Sequence, residues 1–128
     1  MFDRIETLRM ASSLTAHAAE RQKLIAQNVA NADTPGFRAR DLAGFAEAYR
    51  SRVSAEMRGT RAGHLTGITW GGAAPVKDDG GEPAPNGNTV SLEEEMFRIA
   101  ETRRDFDVSL AVTRSAMSLI RTSLGRRG

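Results

Sequence analysis

The chain has 128 residues, enough for one ordinary domain, but its apolar share of 40% and aromatic share of 5% are low for a compact core of that size. Its 18 basic and 16 acidic residues leave a formal net charge of +2, so bulk charge does not indicate a nucleic-acid-binding protein. The absence of cysteine excludes disulfides and thiolate metal sites.

The first predicted element is a helix that starts near Asp3 and runs to about Asn31. Asp3 and Glu6 have the spacing of a capping box. Along this helix runs a stripe of residues alternately three and four apart, a rhythm that keeps one face towards a partner helix. The stripe consists of Leu8, Ala11, Thr15, Ala18, Gln22, Ile25, Val29 and Ala32. Because Asp3, Glu6 and Arg9 interrupt any apolar leader segment, we expect that export, if it occurs, proceeds without a cleaved signal peptide.

A turn is predicted directly after this helix. Pro35 disfavours helical backbone at Thr34, and Pro35-Gly36 suits the central positions of a type II turn, in which Gly36 has a positive φ. Asn28 and Asn31 lie three residues apart near the helix end, and two interpretations are open for them. Their amides bond to another strand or helix, or Asn31, Asp33 and Thr34 simply terminate the helix.

The middle of the chain is expected to be irregular and to contain only short elements. Residues 41–57 favour a short helix whose apolar side holds Leu42, Phe45, Ala46 and Tyr49. Residues 64–70 favour a short strand, and 71–88 have the glycine and proline content of a loop or linker.

A second long helix is predicted to begin after Ser91, which forms a capping box with Glu94, and to end at Gly125. It carries a stripe with the same three-four rhythm, in which Arg103 and Thr113 are the polar members. The apolar members are Leu92, Met96, Ile99, Phe106, Leu110, Met117, Ile120 and Leu124.

The sequence therefore predicts a mainly α fold, with two long terminal helices pairing as a coiled coil and a small irregular or short-β middle. The expected segments are an N-terminal assembly helix (1–32), a turn motif with a linker (33–90) and a C-terminal assembly helix (91–125). Because the stripes bury little apolar surface for the number of residues they order, we expect full ordering only when neighbouring subunits cover the helices.

Two segments of the chain resemble flagellar axial proteins. Asn28-Val-Ala-Asn-Ala-Asp-Thr-Pro-Gly-Phe37 is similar to the N-terminal motif of rod, hook and junction subunits. Asn86-Gly-Asn-Thr-Val-Ser-Leu-Glu-Glu-Glu-Met96 is similar to the entry of the C-terminal helix in the flagellar basal-body rod protein family. The resemblance covers about 1–42 and 86–124, and Phe37 and Phe106 stand where the family often has tyrosine.

The resemblance implies a structural subunit of the proximal rod, not an enzyme, which is exported without signal cleavage and assembles into a tube across the periplasm. The implied partners are itself and other rod subunits, the rod–MS-ring adaptor FliE and the flagellar export apparatus, with no nucleic acid and no membrane insertion. The assembly motif that it implies consists of Asn28, Ala30, Asn31, Asp33, Thr34, Pro35, Gly36 and Phe37.

No catalytic, cofactor or metal site is predicted from the residues. His17 and His64 are isolated from carboxylate clusters, and Asp78, Asp79 and Glu82 lack the spacing of a calcium loop. An alternative class is a coiled-coil nucleic-acid-binding or regulatory protein that uses the arginines between positions 38 and 61. Against it, basic residues are not interleaved with aromatic ones.

Overall fold

The computed structural model describes residues 2–54 and 74–125, so the strand predicted at 64–70 lies outside the described residues. In chain order the elements are α1 (Phe2–Ala30), β1 (Arg40–Leu42), α2 (Phe45–Ser54), β2 (Val76–Asp78) and α3 (Leu92–Gly125). The predicted fold class is confirmed, since two long terminal helices pack on each other beside a small two-stranded sheet.

The two long helices run antiparallel. Near one end of the pair, Arg4 Nη1 donates to Ser123 Oγ at 3.0 Å, and near the other Asn28 Nδ2 donates to Glu95 Oε1 at 3.0 Å. Residue numbers therefore rise along α1 as they fall along α3. At a rise of about 1.5 Å per residue both helices exceed 40 Å, so the contact extends over most of their length.

The contact between α1 and α3 is built from small and polar residues that recur every seven positions. The buried residues of α3 are Glu95, Thr102, Ser109 and Ala116. Those of α1 that share one face are Ala11, Ala18 and Ile25. Thr15 Oγ1 donates to Ser109 Oγ at 2.8 Å across the contact. A seven-residue repeat is the period of a left-handed coiled coil, and short side chains allow the two backbones to approach closely.

The apolar stripe of α3 is not the face that packs on α1 within the chain. Met96 and Leu124 are each 71% exposed, Leu92, Ile99, Phe106 and Met117 are also exposed, and only Leu110 and Ile120 are half-buried. In α1 the stripe residues Ala11, Ala18 and Ile25 do lie in the contact, whereas Leu8 is half-buried and Val29 exposed. Apolar character does not identify the contacting face, because the close approach of the two helices requires small side chains. Serine and threonine are tolerated there because their hydroxyl groups can bond to backbone carbonyls of their own helix.

The middle of the chain holds a short antiparallel ribbon. β1 and β2 pair with Arg40 opposite Asp78 and Leu42 opposite Val76. Leu42 thus belongs to β1 and not to α2, and β2 lies in a segment expected to be loop. Leu42 packs with Ala48, Ala74 and Leu24 in a small apolar cluster that attaches the ribbon and α2 to α1.

The helix starts differ in how well the sequence indicates them. Ser91 Oγ accepts a hydrogen bond from Glu94 N at 3.4 Å, as expected for the N-cap of α3. Asp3 is not the N-cap of α1, because the helix already includes Phe2 and Asp3 lies in its first turn. A negative charge in the first turn still favours the helix through its dipole.

Candidate functional site

The turn after α1 has the predicted geometry. Phe37 N donates to Thr34 O at 3.2 Å, and Gly36 has a φ of 71°. A second glycine with positive φ, Gly87 at 83°, backs onto the turn so closely that a Cβ there would lie 3.4 Å from Gly36 Cα. Gly36 N also donates to Asn86 O at 3.0 Å, so this turn and the loop before α3 form one unit.

Replacing Gly36 by valine is expected to lower the free energy of unfolding by about 1–3 kcal/mol, because a β-branched residue adopts a positive φ only with strain. No atom lies within 4 Å of the Cβ position at Gly36, so the cost is conformational and not a clash. Urea denaturation measures the change. Gly36→Asn is the control, since asparagine tolerates this backbone region and should retain most of the stability. Equal losses in the two variants would contradict the explanation.

Asn88 closes the C-terminal end of α1 from a distant part of the chain. Its buried Nδ2 lies 2.8 Å from Asn31 O, 2.9 Å from Ala32 O and 2.8 Å from Thr34 O. Its Oδ1 accepts from Val90 N at 2.7 Å, so the amide is satisfied on both sides. Asn31 O also accepts from Thr34 N, and Thr34 O from Phe37 N, so Asn88 bonds to the carbonyls of the turn that follows α1 and holds that turn to the loop before α3. The sequence reasoning did not single it out as a functional residue, although it stands in the segment 86–96 that carries the resemblance.

The two asparagines of the turn motif have different roles. Asn28 is 1% exposed, and its Nδ2 donates to Arg40 O at 2.8 Å while its Oδ1 accepts from Arg40 N at 3.1 Å. It pairs with β1 as a neighbouring strand would, and it also donates to Glu95 on α3. Asn31 Nδ2 donates to Gln27 O at 2.7 Å, a bond within its own helix. The long-range interpretation therefore holds for Asn28 and the helix-terminating one for Asn31.

A cluster of charged side chains joins α1, the ribbon and α3. Arg21 binds Asp41 through two hydrogen bonds of 2.9 Å each. Arg98 Nη1 lies 2.6 Å from Glu95 Oε1 and 3.1 Å from Asp79 Oδ2, and Arg98 Nε lies 3.6 Å from Asp41 Oδ2. We call these five residues the ion cluster. Because the side chains of Glu95 and Asp79 are only 1% and 2% exposed, Arg98 compensates carboxylates that water scarcely reaches.

The ion cluster shifts two carboxyl pKa values in opposite directions. Burial raises the pKa of Glu95, and the opposing charge of Arg98 and the hydrogen bond from Asn28 do not cancel that effect. Burial also acts to raise the pKa of Asp41, but the hydrogen bonds and charge of Arg21 outweigh it and leave that pKa below its ordinary value. Among the residues that the structure describes, the buried Glu95 Oε2 and Thr102 Oγ1 have no hydrogen-bond partner, and for Glu95 this acts in the same direction as burial, which raises its pKa.

Glu95→Gln is expected to remove a pH-dependent part of the stability. Because folding raises the pKa of Glu95, its stabilising contribution is fully present below the pKa of the unfolded chain and is lost as the pH rises through the folded value. Asp41 acts oppositely, with a contribution that is present above its unfolded pKa and lost as the pH falls through the folded one. The free energy of unfolding of the Gln variant minus that of the wild type should therefore increase as the pH rises above the ordinary glutamate pKa of about 4 and through the raised folded value.

Urea denaturation at a series of pH values measures this difference. Glu6→Gln, at an exposed position of α1, is the control for the removal of one negative charge. A difference for Glu95→Gln that is flat, or that decreases with pH, would contradict the raised pKa of Glu95.

The predicted assembly motif is divided between buried and exposed residues. Asn28 is buried, and Asn31 and Phe37 are half-buried. The exposed members are Ala30, Asp33, Thr34, Pro35 and Gly36. The turn thus has a buried side that fixes its geometry and a surface side that a neighbouring molecule can contact.

The two histidines of the chain do not belong to a metal-binding cluster among the described residues. In ranges 2–54 and 74–125, no group of three His, Cys, Asp or Glu residues is placed to hold a metal ion. His17 Nε2 lies 2.8 Å from Ala43 O, and its ring meets Phe45 edge-on with centroids 5.7 Å apart, so it fixes the start of α2 against α1. His64 lies outside these ranges. None of the described helices is apolar enough over a sufficient length to span a membrane.

Comparison with known proteins identifies relatives over nearly the whole chain. Residues 8–38 match the family model described as "Flagella basal body rod protein". The flagellar basal body rod protein FlgB of Agrobacterium fabrum is 32% identical over 120 residues, which cover 87% of this chain and 87% of the relative. FlgB of Salmonella typhimurium is 31% identical over 127 residues (91% and 92%), and FlgB of Escherichia coli is 31% identical over 124 residues (87% and 88%).

These matches extend through both long helices and the segment between them. The alternative of a nucleic-acid-binding or regulatory coiled coil has no support among them. The chain therefore belongs to the FlgB family of flagellar basal body rod proteins: it is a structural subunit of the proximal rod, it assembles with other rod components in the basal body, and it is not an enzyme.

Proposed function

We propose that this subunit joins the rod through one open side of the α1/α3 pair, where the apolar stripe of α3 faces helices of neighbouring subunits. The observation that carries the proposal is the exposure of large apolar side chains along one stripe of α3, since soluble monomers rarely expose such a surface without a partner. These side chains are Leu92, Met96, Ile99, Phe106, Met117 and Leu124.

The positions of the ribbon contacts identify which side of the pair is open. Residues three and four positions after a buried helical residue lie on opposite flanks of the buried row. Arg21 and Asn28 come three after Ala18 and Ile25, and both contact β1. The opposite flank of α1, four after the buried residues, holds Thr15, Gln22 and Val29.

The same reasoning applies to α3. Arg98 comes three after the buried Glu95, and it contacts Asp41 in β1. Ile99 and Phe106 come four after Glu95 and Thr102 respectively, so they lie on the flank away from the ribbon. The flanks of α1 and α3 that do not contact β1 thus face the same side, and they contain much of the two predicted stripes.

The turn motif supports a second contact in this proposal. Its buried residues hold the turn against β1 and α3, while Asp33, Thr34 and Pro35 remain on the surface. We infer that this surface contacts an adjacent subunit. The buried residues that hold the turn against β1 and α3 would then fix the direction of that contact.

The finer aspects of the cellular setting belong to the same proposal. We infer that the chain is exported through the flagellar export apparatus without a cleaved signal, forms part of the periplasmic rod and meets the adaptor FliE. The interrupted apolar character of the first residues and the membership of the FlgB family support these inferences.

A charge placed in the stripe tests the proposal. Leu110→Asp should abolish rod assembly and motility while leaving synthesis unchanged, because a carboxylate would be desolvated without a partner in the inter-subunit contact. Val108→Asp is the matched control, because Val108 is exposed on a different face of the same helix. Motility assays and isolation of basal bodies give the readout. Normal motility of the Leu110→Asp strain, or equal loss in both strains, would contradict the proposed contact.

A further inference from the structure

We propose that, outside the rod, two copies of this chain associate in antiparallel orientation through the apolar stripes of their α3 helices. This inference concerns the free subunit and does not depend on how the rod assembles. It rests on the self-complementary order of apolar, polar and charged residues along α3.

The apolar residues of the stripe match one another when two α3 helices are related by a two-fold axis level with Val108. In an antiparallel coiled coil, each layer of the seam combines an a position of one helix with a d position of the other. The layers are then Leu92 with Leu124, Met96 with Ile120, Ile99 with Met117, and Phe106 with Leu110. Every large apolar residue of the stripe meets another, and each layer occurs twice by symmetry.

The polar positions of the stripe also favour the antiparallel orientation. With the same axis, Arg103 lies opposite Thr113 of the second copy, a layer that is polar but holds only one charge. A parallel, in-register pair would place Arg103 against Arg103 in the seam, where like charges repel with little water between them. The stripe therefore discriminates between the two orientations.

A row of charged residues beside the stripe adds attractive pairs to the antiparallel arrangement. Residues at seven-residue intervals on one flank are acidic in the first half of the helix, with Glu93 and Asp107, and basic in the second, with Arg114 and Arg121. All four are exposed, and none of them forms an ion pair with the described residues. The antiparallel pair sets Glu93 beside Arg121 of the second copy twice by symmetry, and Asp107 beside Asp107 once at the axis, so attractive pairs outnumber the repulsive one.

The intramolecular contact with α1 leaves room for this association. α1 covers the row formed by Glu95, Thr102, Ser109 and Ala116, which lies next to the stripe and on the side away from the charged row. The proposed contact is thus continuous with the existing one and extends it on the open side. Because the same stripe faces rod neighbours in the proposed function, the dimer must open before the subunit joins the rod.

Site-specific cross-linking of the full-length chain tests the orientation of the dimer. Because the chain has no native cysteine, only the introduced thiols react. Glu93→Cys and Arg121→Cys proteins are mixed and treated with a short thiol-reactive cross-linker. We expect the mixed product that joins position 93 of one copy to position 121 of the other. Position 93 should not link to itself, since the two sites lie about 40 Å apart along an antiparallel pair at roughly 1.5 Å per residue. Self-linked products in place of the mixed one, or no product, would overturn the proposal.

Charge reversal at Glu93 and Arg121 tests whether these residues pair across the dimer, because it should change the dimer affinity. Sedimentation equilibrium of the full-length wild type should show a monomer–dimer equilibrium. Glu93→Arg alone and Arg121→Glu alone should each weaken it by about tenfold, since both symmetric pairs become repulsive. The double variant should restore it, and the two positions are too far apart in one chain for this rescue to be intramolecular. A wild type that stays monomeric at millimolar concentration, or a double variant without rescue, would refute the dimer and leave the rod proposal to its motility test.

Discussion

Arg98→Met is expected to lower the free energy of unfolding by about 3–5 kcal/mol, the range for removing one partner of a buried ion pair. Arg98 is the shared counter-charge of Glu95 and Asp79, whose side chains are almost inaccessible to water. Methionine keeps much of the side-chain volume, so the loss is electrostatic and not a cavity effect. Both carboxyl groups then either remain charged without compensation or bind protons.

Two further variants separate the charge from the geometry of Arg98. Arg98→Lys keeps the charge but cannot serve several carboxylates at once, so we expect an intermediate loss. Arg104→Met removes an arginine of the same helix whose side chain is 76% exposed, and it should change the stability by less than about 0.5 kcal/mol. Chemical denaturation of the three proteins at neutral pH gives the comparison. A loss for Arg98→Met as small as that for Arg104→Met would show that the ion cluster does not hold the helices to the ribbon.

Local sequence signals were sufficient for the helices and the turn. The capping pair at Ser91 and Glu94, and the Pro35-Gly36 dipeptide, act through backbone geometry that depends on near neighbours only. The pairing of the two long helices could also be predicted, because both the apolar stripe of α3 and its buried row have the seven-residue period of a coiled coil. These features required no knowledge of contacts between distant parts of the chain.

The face of α3 that packs on α1 could not be predicted from the apolar character of its residues. Thr102 and Ser109 lie buried against α1, while Met96 and Leu124 of the same helix are exposed. The hydroxyl of Ser109 bonds both to Thr15 across the contact and to the carbonyl of Phe106, so its burial is compensated. In the proposed rod contact α3 has two seams, one for α1 and one for a neighbouring subunit, and only the seam with large apolar residues is conspicuous in the sequence.

The contacts of Asn28 and of the ion cluster could be predicted only in part, because they link residues far apart in sequence. The turn motif indicated that Asn28 had a role, but its partners Arg40 and Glu95 belong to other elements. Nothing local to Arg98 or Asp79 indicates that they meet, since their proximity follows from β2 pairing with β1 beside the first turns of α3. β2 itself is only three residues long and is too short for a periodic signal.

Asn28→Ala is expected to lower the free energy of unfolding by about 2–4 kcal/mol, and Asn31→Ala by about 1 kcal/mol or less. Alanine at position 28 leaves the amide and carbonyl of Arg40 without their partner and removes one donor from the buried carboxylate of Glu95. The Asn31 side chain bonds to Gln27 O within its own helix end and to Thr34 Oγ1, both at exposed sites where water can replace it. Two asparagines three residues apart in one motif should therefore differ clearly in their effect.

Asn28→Asp sharpens the comparison, since the change is nearly isosteric. The carboxylate can still accept from Arg40 N, but it cannot donate to Arg40 O, and it places a second negative charge beside Glu95. We expect a loss larger than that of alanine at neutral pH and smaller in mild acid, where protonation removes the repulsion. Denaturation at the two pH values measures both quantities. If Asn31→Ala proved as damaging to the isolated subunit as Asn28→Ala, the division of the motif into a buried joint and an exposed turn would be wrong. If Asn31→Ala instead spared the subunit but stopped motility, Asn31 would belong to the surface that contacts a neighbour in the rod.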